Sequence, residues 1–152
     1  MTTSRSEPFG DRAGLLGRLN HVGVAVPSVD AALGRYRTLF GTDAVGAPFD
    51  LEPQGVRVCF VSAGNTEIEL IAPLGADSPL RGFLERNPAG GQHHVAYEVP
   101  DVEAAREALA SLGVRALGEP RPGAHGSLVL FLHPKDMGGV LVELMEPPAA
   151  GH

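Results

Sequence analysis

The chain contains one stretch of itself twice. HVGVAVPSVDAALGRY, starting at His21, aligns with HVAYEVPDVEAAREAL, starting at His94. Seven of the sixteen positions coincide: the histidine, Val22 with Val95, Val26 with Val99, Pro27 with Pro100, Val29 with Val102 and two alanine pairs. A second match closes each copy, where EIELIAP ending at Pro73 lies over VLVELMEP ending at Pro147 and sets Glu69 against Glu143. A duplication on this scale means that one supersecondary unit, used twice, has to account for the fold.

Within each copy the apolar residues after the histidine alternate with a period of two, which reads as a strand. The following P-[SD]-V-[DE]-A-A starts a helix, with Ser28 or Asp101 as N-cap and acidic residues in the first turn. Leu33, Tyr36, Leu39 and Phe40 supply an apolar helical stripe in the first copy, and Val102, Ala105, Leu109 and Leu112 supply one in the second. Gly41 and Gly113 stand where helices end. Strands are then expected in TDAVGAPFD, VRVCFVSAG and TEIELIAP, and again in VRALGEP, SLVLFLHP and GVLVELME. The pattern is βαβββ, twice, an α+β fold with module 1 over about 18–75 and module 2 over about 91–147. DSPLRGFLERN between them reads as a linker helix over about 77–87, capped by Ser78 with Pro79 at its first position. Residues 1–17 and 148–152 carry no periodicity and read as flexible tails.

A chain of 152 residues is of single-domain size. Its net charge of −6 leaves no basic surface for a phosphate backbone, so nucleic acid is not an expected partner. No apolar run nears the ~20 residues that span a bilayer, and the N-terminus has no signal-like core, so a cytoplasmic protein off the membrane is expected. The single cysteine, Cys59, sits in an apolar run and reads as a small core residue in a reducing compartment. No GxGxxG, P-loop or nucleophile elbow has the right flanks, which removes nucleotide hydrolysis and serine-type acyl transfer.

Strand alternation gives His21 a face shared with Gly23 and Ala25, and gives His94 a face shared with Ala96, while the valines point the other way. Small residues beside a histidine suit the wall of a cavity. Glu69 and Glu143 each interrupt an apolar strand, and a carboxylate there needs a partner. Two copies related by approximate two-fold symmetry would bring His21, His94, Glu69 and Glu143 to one centre. Such a nitrogen and oxygen donor set suits Zn²⁺, Co²⁺, Ni²⁺ or Mn²⁺ with water or substrate in the remaining positions.

LNHVGVAVP, GNTEIELIAPLGADSPLRGFLERNPAGGQHHVAYEV, GAHG and LFLHPKDMGGVLVEL together make the chain from Leu19 to about Glu146 resemble the vicinal oxygen chelate superfamily, and within it the methylmalonyl-CoA epimerases. The resemblance implies two paired βαβββ modules forming a cupped, mixed or antiparallel sheet around a metal held by His21, Glu69, His94 and Glu143. It implies an acyl-CoA substrate, methylmalonyl-CoA, whose (R) and (S) forms are interconverted by 1,1-proton transfer through a metal-stabilised enolate. It also implies a homodimer. Glu143 is the carboxylate that the resemblance assigns to proton transfer as well as to the metal. Several bacterial relatives carry a Glu where this chain has Val58, so Glu69, opposite Glu143 by pseudo-symmetry, becomes the candidate second base.

Other polar residues carry plainer expectations. His93 alternates to the side opposite His94 and reads as a supporting or turn residue, and Glu98 as a group at the rim of the His94 face. His125 in GAHG and Lys135, beside His133 in LHPKD, lie in turns and are the candidates for contact with the acyl group or the CoA phosphates. A glyoxalase I-like lyase of the same fold is the nearest alternative activity, and a metal-free, bleomycin-sequestering binding protein the alternative from another class. Retention of all four ligand positions argues against the latter. The fourth ligand disfavours a ring-cleaving dioxygenase with a two-histidine, one-carboxylate iron site.

Overall fold

Period-two strands and capped helices follow one another as the repeat requires. The computed structural model describes residues 14–148; of the ends read as tails over 1–17 and 148–152, residues 1–13 and 149–152 lie outside the described residues. Strands β1 (Leu19–Ala25), β2 (Phe49–Leu51), β3 (Val56–Ser62) and β4 (Glu67–Pro73) accompany helix α1 (Val29–Phe40) in the first copy. Helix α2 (Leu80–Arg86) follows. Strands β5 (Gly91–Glu98), β6 (Ala116–Pro122), β7 (Leu128–Leu132) and β8 (Val142–Met145) accompany helix α3 (Val102–Ala110) in the second. Residues 21–94 form one compact unit, and residues 14–20 with 95–148 form another.

The two copies share one topology. In the first, the strand order is β2-β3-β4-β1, with β1 parallel to β4 and the other neighbours antiparallel. In the second it is β6-β7-β8-β5, with β5 parallel to β8. Parallel first and last strands need a crossover. The rest of the copy supplies it, so each histidine-bearing strand lies beside its own glutamate-bearing strand.

Ser28 Oγ accepts the Ala31 N–H at 3.1 Å, and Asp101 Oδ1 accepts the Ala104 N–H at 3.0 Å, capping α1 and α3 as expected. The interhalf helix starts one residue later than expected, at Leu80, with Ser78 Oγ accepting the Leu80 N–H at 3.3 Å. The strand expected over TDAVGAPFD is largely absent. Thr42–Ala44 form a 3₁₀ turn, Val45 makes a single bridge to Val61, and only Phe49–Leu51 pair as a strand beyond Pro48, which has no N–H to offer a ladder.

In the first copy Val29 and Leu33 from α1 pack on Cys59, Val61, Leu70 and Ala72 from β3 and β4, with Val24 and Val26 alongside. Burial pushes the Cys59 thiol pKa up, and its S–H donates to the Gly46 carbonyl, consistent with a small core residue. In the second, Val102, Ala105 and Leu109 from α3 pack on Leu130, Leu132, Val142 and Leu144, with Leu16 and Tyr97 alongside. Three members of the expected stripes fall outside these cores, and one of them, Phe40, is 38% exposed at the last residue of α1. Leu39 is 66% exposed because it lies six residues past Leu33, about 120° off the buried line. Leu112 is 70% exposed because α3 has already ended.

The helices therefore cover the valine face of each set of strands, and the histidine face is left to small and polar residues. His21, Gly23 and Ala25 alternate with Val22, Val24 and Val26 as expected. Gly23 is required by the fold itself, since a Cβ placed there would land inside the imidazole ring of His94.

In the second copy Asp136 accepts from the Arg115 backbone N–H at 3.0 Å and from its guanidinium at 2.8 and 3.2 Å, which ties the HPKD turn to the start of β6. These bonds lower the Asp136 carboxyl pKa to about 2.

Two expectations follow. Gly23→Ala should cost about 1–3 kcal/mol in urea unfolding, the range for overpacking a filled interior, and a variant as stable as the parent would show that the His94 ring is free to move aside. A carboxyl whose folded pKa is depressed stabilises the fold above its ordinary pKa and loses that contribution as pH falls through the folded value. The stability gap between the parent and Asp136→Asn should thus be open at about pH 5 and narrow between about pH 4 and pH 2, which unfolding curves at several pH values would read directly.

Candidate functional site

Parallel pairing fixes where each glutamate stands. In the first copy Glu69 is in register with Gly23, two residues past His21. In the second, Glu143 is in register with Ala96, two residues past His94 on the same strand. On their other sides the glutamates face Phe60 and Phe131, again equivalent positions. Both copies thus place a carboxylate beside a residue too small to cover it, on the strand face that carries the histidine.

Residues 21–94 bring three of the sequence-predicted groups together. His21 Nε2 lies 3.3 Å from His94 Nε2, and Glu69 Oε1 lies 3.6 Å from the first and 3.3 Å from the second. The two imidazoles meet edge to face, with centroids 5.3 Å apart and planes at 87°. All three residues are buried, His21 at 1%, His94 at 4% and Glu69 at 7% exposure. Glu143 is buried to the same degree on β8, where its strand neighbours Val142 and Leu144 belong to the core beneath α3.

The donor chemistry fits a cation. Two Nε2 atoms and a carboxylate oxygen converge on one point, and with protons on the Nδ1 atoms all three present lone pairs to it. Two nitrogens bound to Zn²⁺ at about 2.0–2.1 Å in tetrahedral geometry stand about 3.3 Å apart, the separation found between His21 and His94. A buried His-His-Glu group of this kind can bind a divalent metal.

Val58, buried completely, stands on the Glu69 face, paired with Ile71 two residues along β4. This part of the wall is apolar and offers no proton-transfer group. Lys135 lies exposed in the 3₁₀ turn Pro134–Asp136 between β7 and β8, its N–H donating to His133 Nδ1 at 3.2 Å. His125 lies in the turn that joins β6 to β7, closed by hydrogen bonds between Gly123 and Ser127 and between Gly126 and Gly123. Glu98 is buried, accepting from Asn20 Nδ2 at 2.8 Å with Arg18 Nε at 3.6 Å, and so anchors the start of β1.

Two features escaped the sequence reading. Alternation sends His93 away from His94, yet the two Nδ1 atoms are 2.9 Å apart. The demand on Gly23 is also new; its only trace in the sequence is that the matching position, Ala96, is small as well.

Residues 20–131 match the family described as the glyoxalase/bleomycin resistance protein/dioxygenase superfamily. An ethylmalonyl-CoA/methylmalonyl-CoA epimerase from Cereibacter sphaeroides is 57% identical over 132 residues, which is 86% of this chain and 98% of that protein. The structure of methylmalonyl-CoA epimerase from Mycobacterium tuberculosis superposes with a TM-score of 0.80 at 34% identity, covering 90% of this chain and 92% of the other. A variant of Streptomyces coelicolor methylmalonyl-CoA epimerase, in complex with 2-nitronate-propionyl-CoA, gives 0.78 at 36% identity over 88% and 99%. With its duplicated βαβββ topology and its buried His-His-Glu group, the chain belongs to the glyoxalase/bleomycin resistance/dioxygenase superfamily and, within it, to the methylmalonyl-CoA epimerases.

Proposed function

We propose that this chain is a metal-dependent epimerase that interconverts (R)- and (S)-methylmalonyl-CoA by removing the α-proton from one face and returning one to the other. The observation that carries the metal dependence is the convergence of His21, His94 and Glu69 in a buried apolar setting. Glu143 completes the set of ligands. The support is its register with Ala96, which shares the β5 face of His94, equivalent to that of Glu69 with Gly23.

A divalent ion held there (Co²⁺, Zn²⁺, Ni²⁺ or Mn²⁺) supplies Lewis acidity that stabilises negative charge developing on the thioester oxygen. His21 and His94 would hold it through the Nε2 atoms that converge there. Glu143 takes the α-proton on one face, and Glu69 handles the proton on the other. Val58 and Ile71 make the wall beside Glu69 apolar on that side. Lys135 and His125 bind the CoA phosphates or the acyl group, in keeping with their turn positions and, for Lys135, its exposed cation. The enzyme works in the cytoplasm as a homodimer, as the resemblance implies; the buried, unpaired Cys59 fits a reducing compartment, and among the described residues no helix is long and apolar enough to cross a membrane.

α-Deuterium washout from methylmalonyl-CoA tests the reading. Chelator-stripped protein should exchange nothing and regain exchange with Co²⁺; full exchange without metal overturns metal dependence. Replacing a positioned acid or base typically costs about 10²–10⁴-fold, so Glu143→Gln should slow exchange by that range. Glu69→Gln should slow epimerisation more than single-face exchange. If it keeps full epimerisation with metal bound, Glu69 is not the second base.

A further inference from the structure

His93 has no part in the chemistry above. Alternation along β5 puts it on the face of Gly91, beneath Phe83 of α2, whose ring meets the His93 ring edge to face at 5.2 Å and 79°. The imidazole is nevertheless turned so that its Nδ1 lies 2.9 Å from Nδ1 of His94, with the ring planes at 88°. At that distance one nitrogen must donate and the other accept, since two N–H groups or two lone pairs would repel. The other nitrogen of His94, Nε2, is the atom that approaches His21 and Glu69. An imidazole cannot ligate through a protonated Nε2, so the proton has to sit on Nδ1, where His93 is the acceptor.

We propose that His93 is a positioning residue. Its Nδ1 accepts the Nδ1–H of His94, fixes that ring angle, and leaves the Nε2 lone pair for a cation held between His94, His21 and Glu69. Phe83 holds the His93 ring in this orientation, which gives α2 a part in the site although it contributes no ligand. The inference rests on the metal reading, because a cation at Nε2 is what places the His94 proton on Nδ1; without one, the Glu69 carboxylate and His21 Nε2 at 3.3 Å would draw it to Nε2.

Long-range ¹H–¹⁵N spectra of the Zn²⁺-loaded protein at about pH 8 should show His94 protonated on Nδ1 and His93 on Nε2. His93 protonated on Nδ1, or His94 on Nε2, would overturn the proposal without any variant being made. His93→Phe keeps an aromatic ring for Phe83 and removes the acceptor. It should weaken Co²⁺ binding, followed by visible absorption, about 10–100-fold, the usual cost of losing a ligand's hydrogen-bond partner. His93→Asn, with an amide oxygen near the position of Nδ1, should recover most of that loss. Parent-like Co²⁺ affinity in His93→Phe, or equal weakening in both variants, would overturn it. A parent protein that binds no Co²⁺ would instead sink the metal reading, and the proposal with it.

Discussion

A carboxylate buried among branched side chains is the constraint from which the rest follows. Glu69 and Glu143 are each 7% exposed in strands whose neighbours belong to apolar cores. An uncompensated charge in such a place is heavily penalised, so the fold has to deliver a partner to each. For Glu69 the partners are two imidazole nitrogens at 3.3 and 3.6 Å. Bringing them there asks that the end of one copy's parallel strand pair and the start of the other copy's histidine strand meet over a residue with no side chain, and Gly23 is that residue. Close approach, in place of good packing, is what this face of the sheet is built for.

Duplication makes the arrangement economical. One topology, with its first strand parallel to its last, sets a glutamate beside the residue two past a histidine, and the second copy repeats it at Ala96 and Glu143. The helices stay on the valine faces and the ligands on the opposite ones, so core packing and site chemistry use alternate residues of the same strands. Substitutions on the helix-covered face can therefore alter stability while leaving the donor set in register.

This division explains what the sequence revealed. The strand faces of His21, His94, Glu69 and Glu143 were legible because period-two alternation and the offset between copies are both one-dimensional signals that survive without coordinates. The helix caps at Ser28 and Asp101 were legible for the same reason, being local hydrogen bonds. The short strand at Phe49–Leu51 was over-read as a long one, because apolar composition outweighed the donor missing at Pro48. The stripes reaching Leu39 and Leu112 were over-read because the angle around the helix and the end of α3, which decide exposure, were set by tertiary packing. Gly23 and His93 act through contacts with His94 that cross the strand pattern, and no spacing rule reaches them.

The apolar wall at Val58 and Ile71 then constrains the chemistry. Where the strand could have carried an acid it carries a fully buried valine, so in the proposed mechanism the acid or base on that side is a group that already faces the centre. Glu69 is the carboxylate of residues 21–94 that does so, 3.3 Å from the nitrogen of His94. A carboxylate asked both to hold a cation and to move a proton must change its coordination during turnover, and that exchange is easier when the remaining ligands are held in place from behind. The proposed Phe83–His93–His94 chain is such a support, reaching one imidazole through its remote nitrogen.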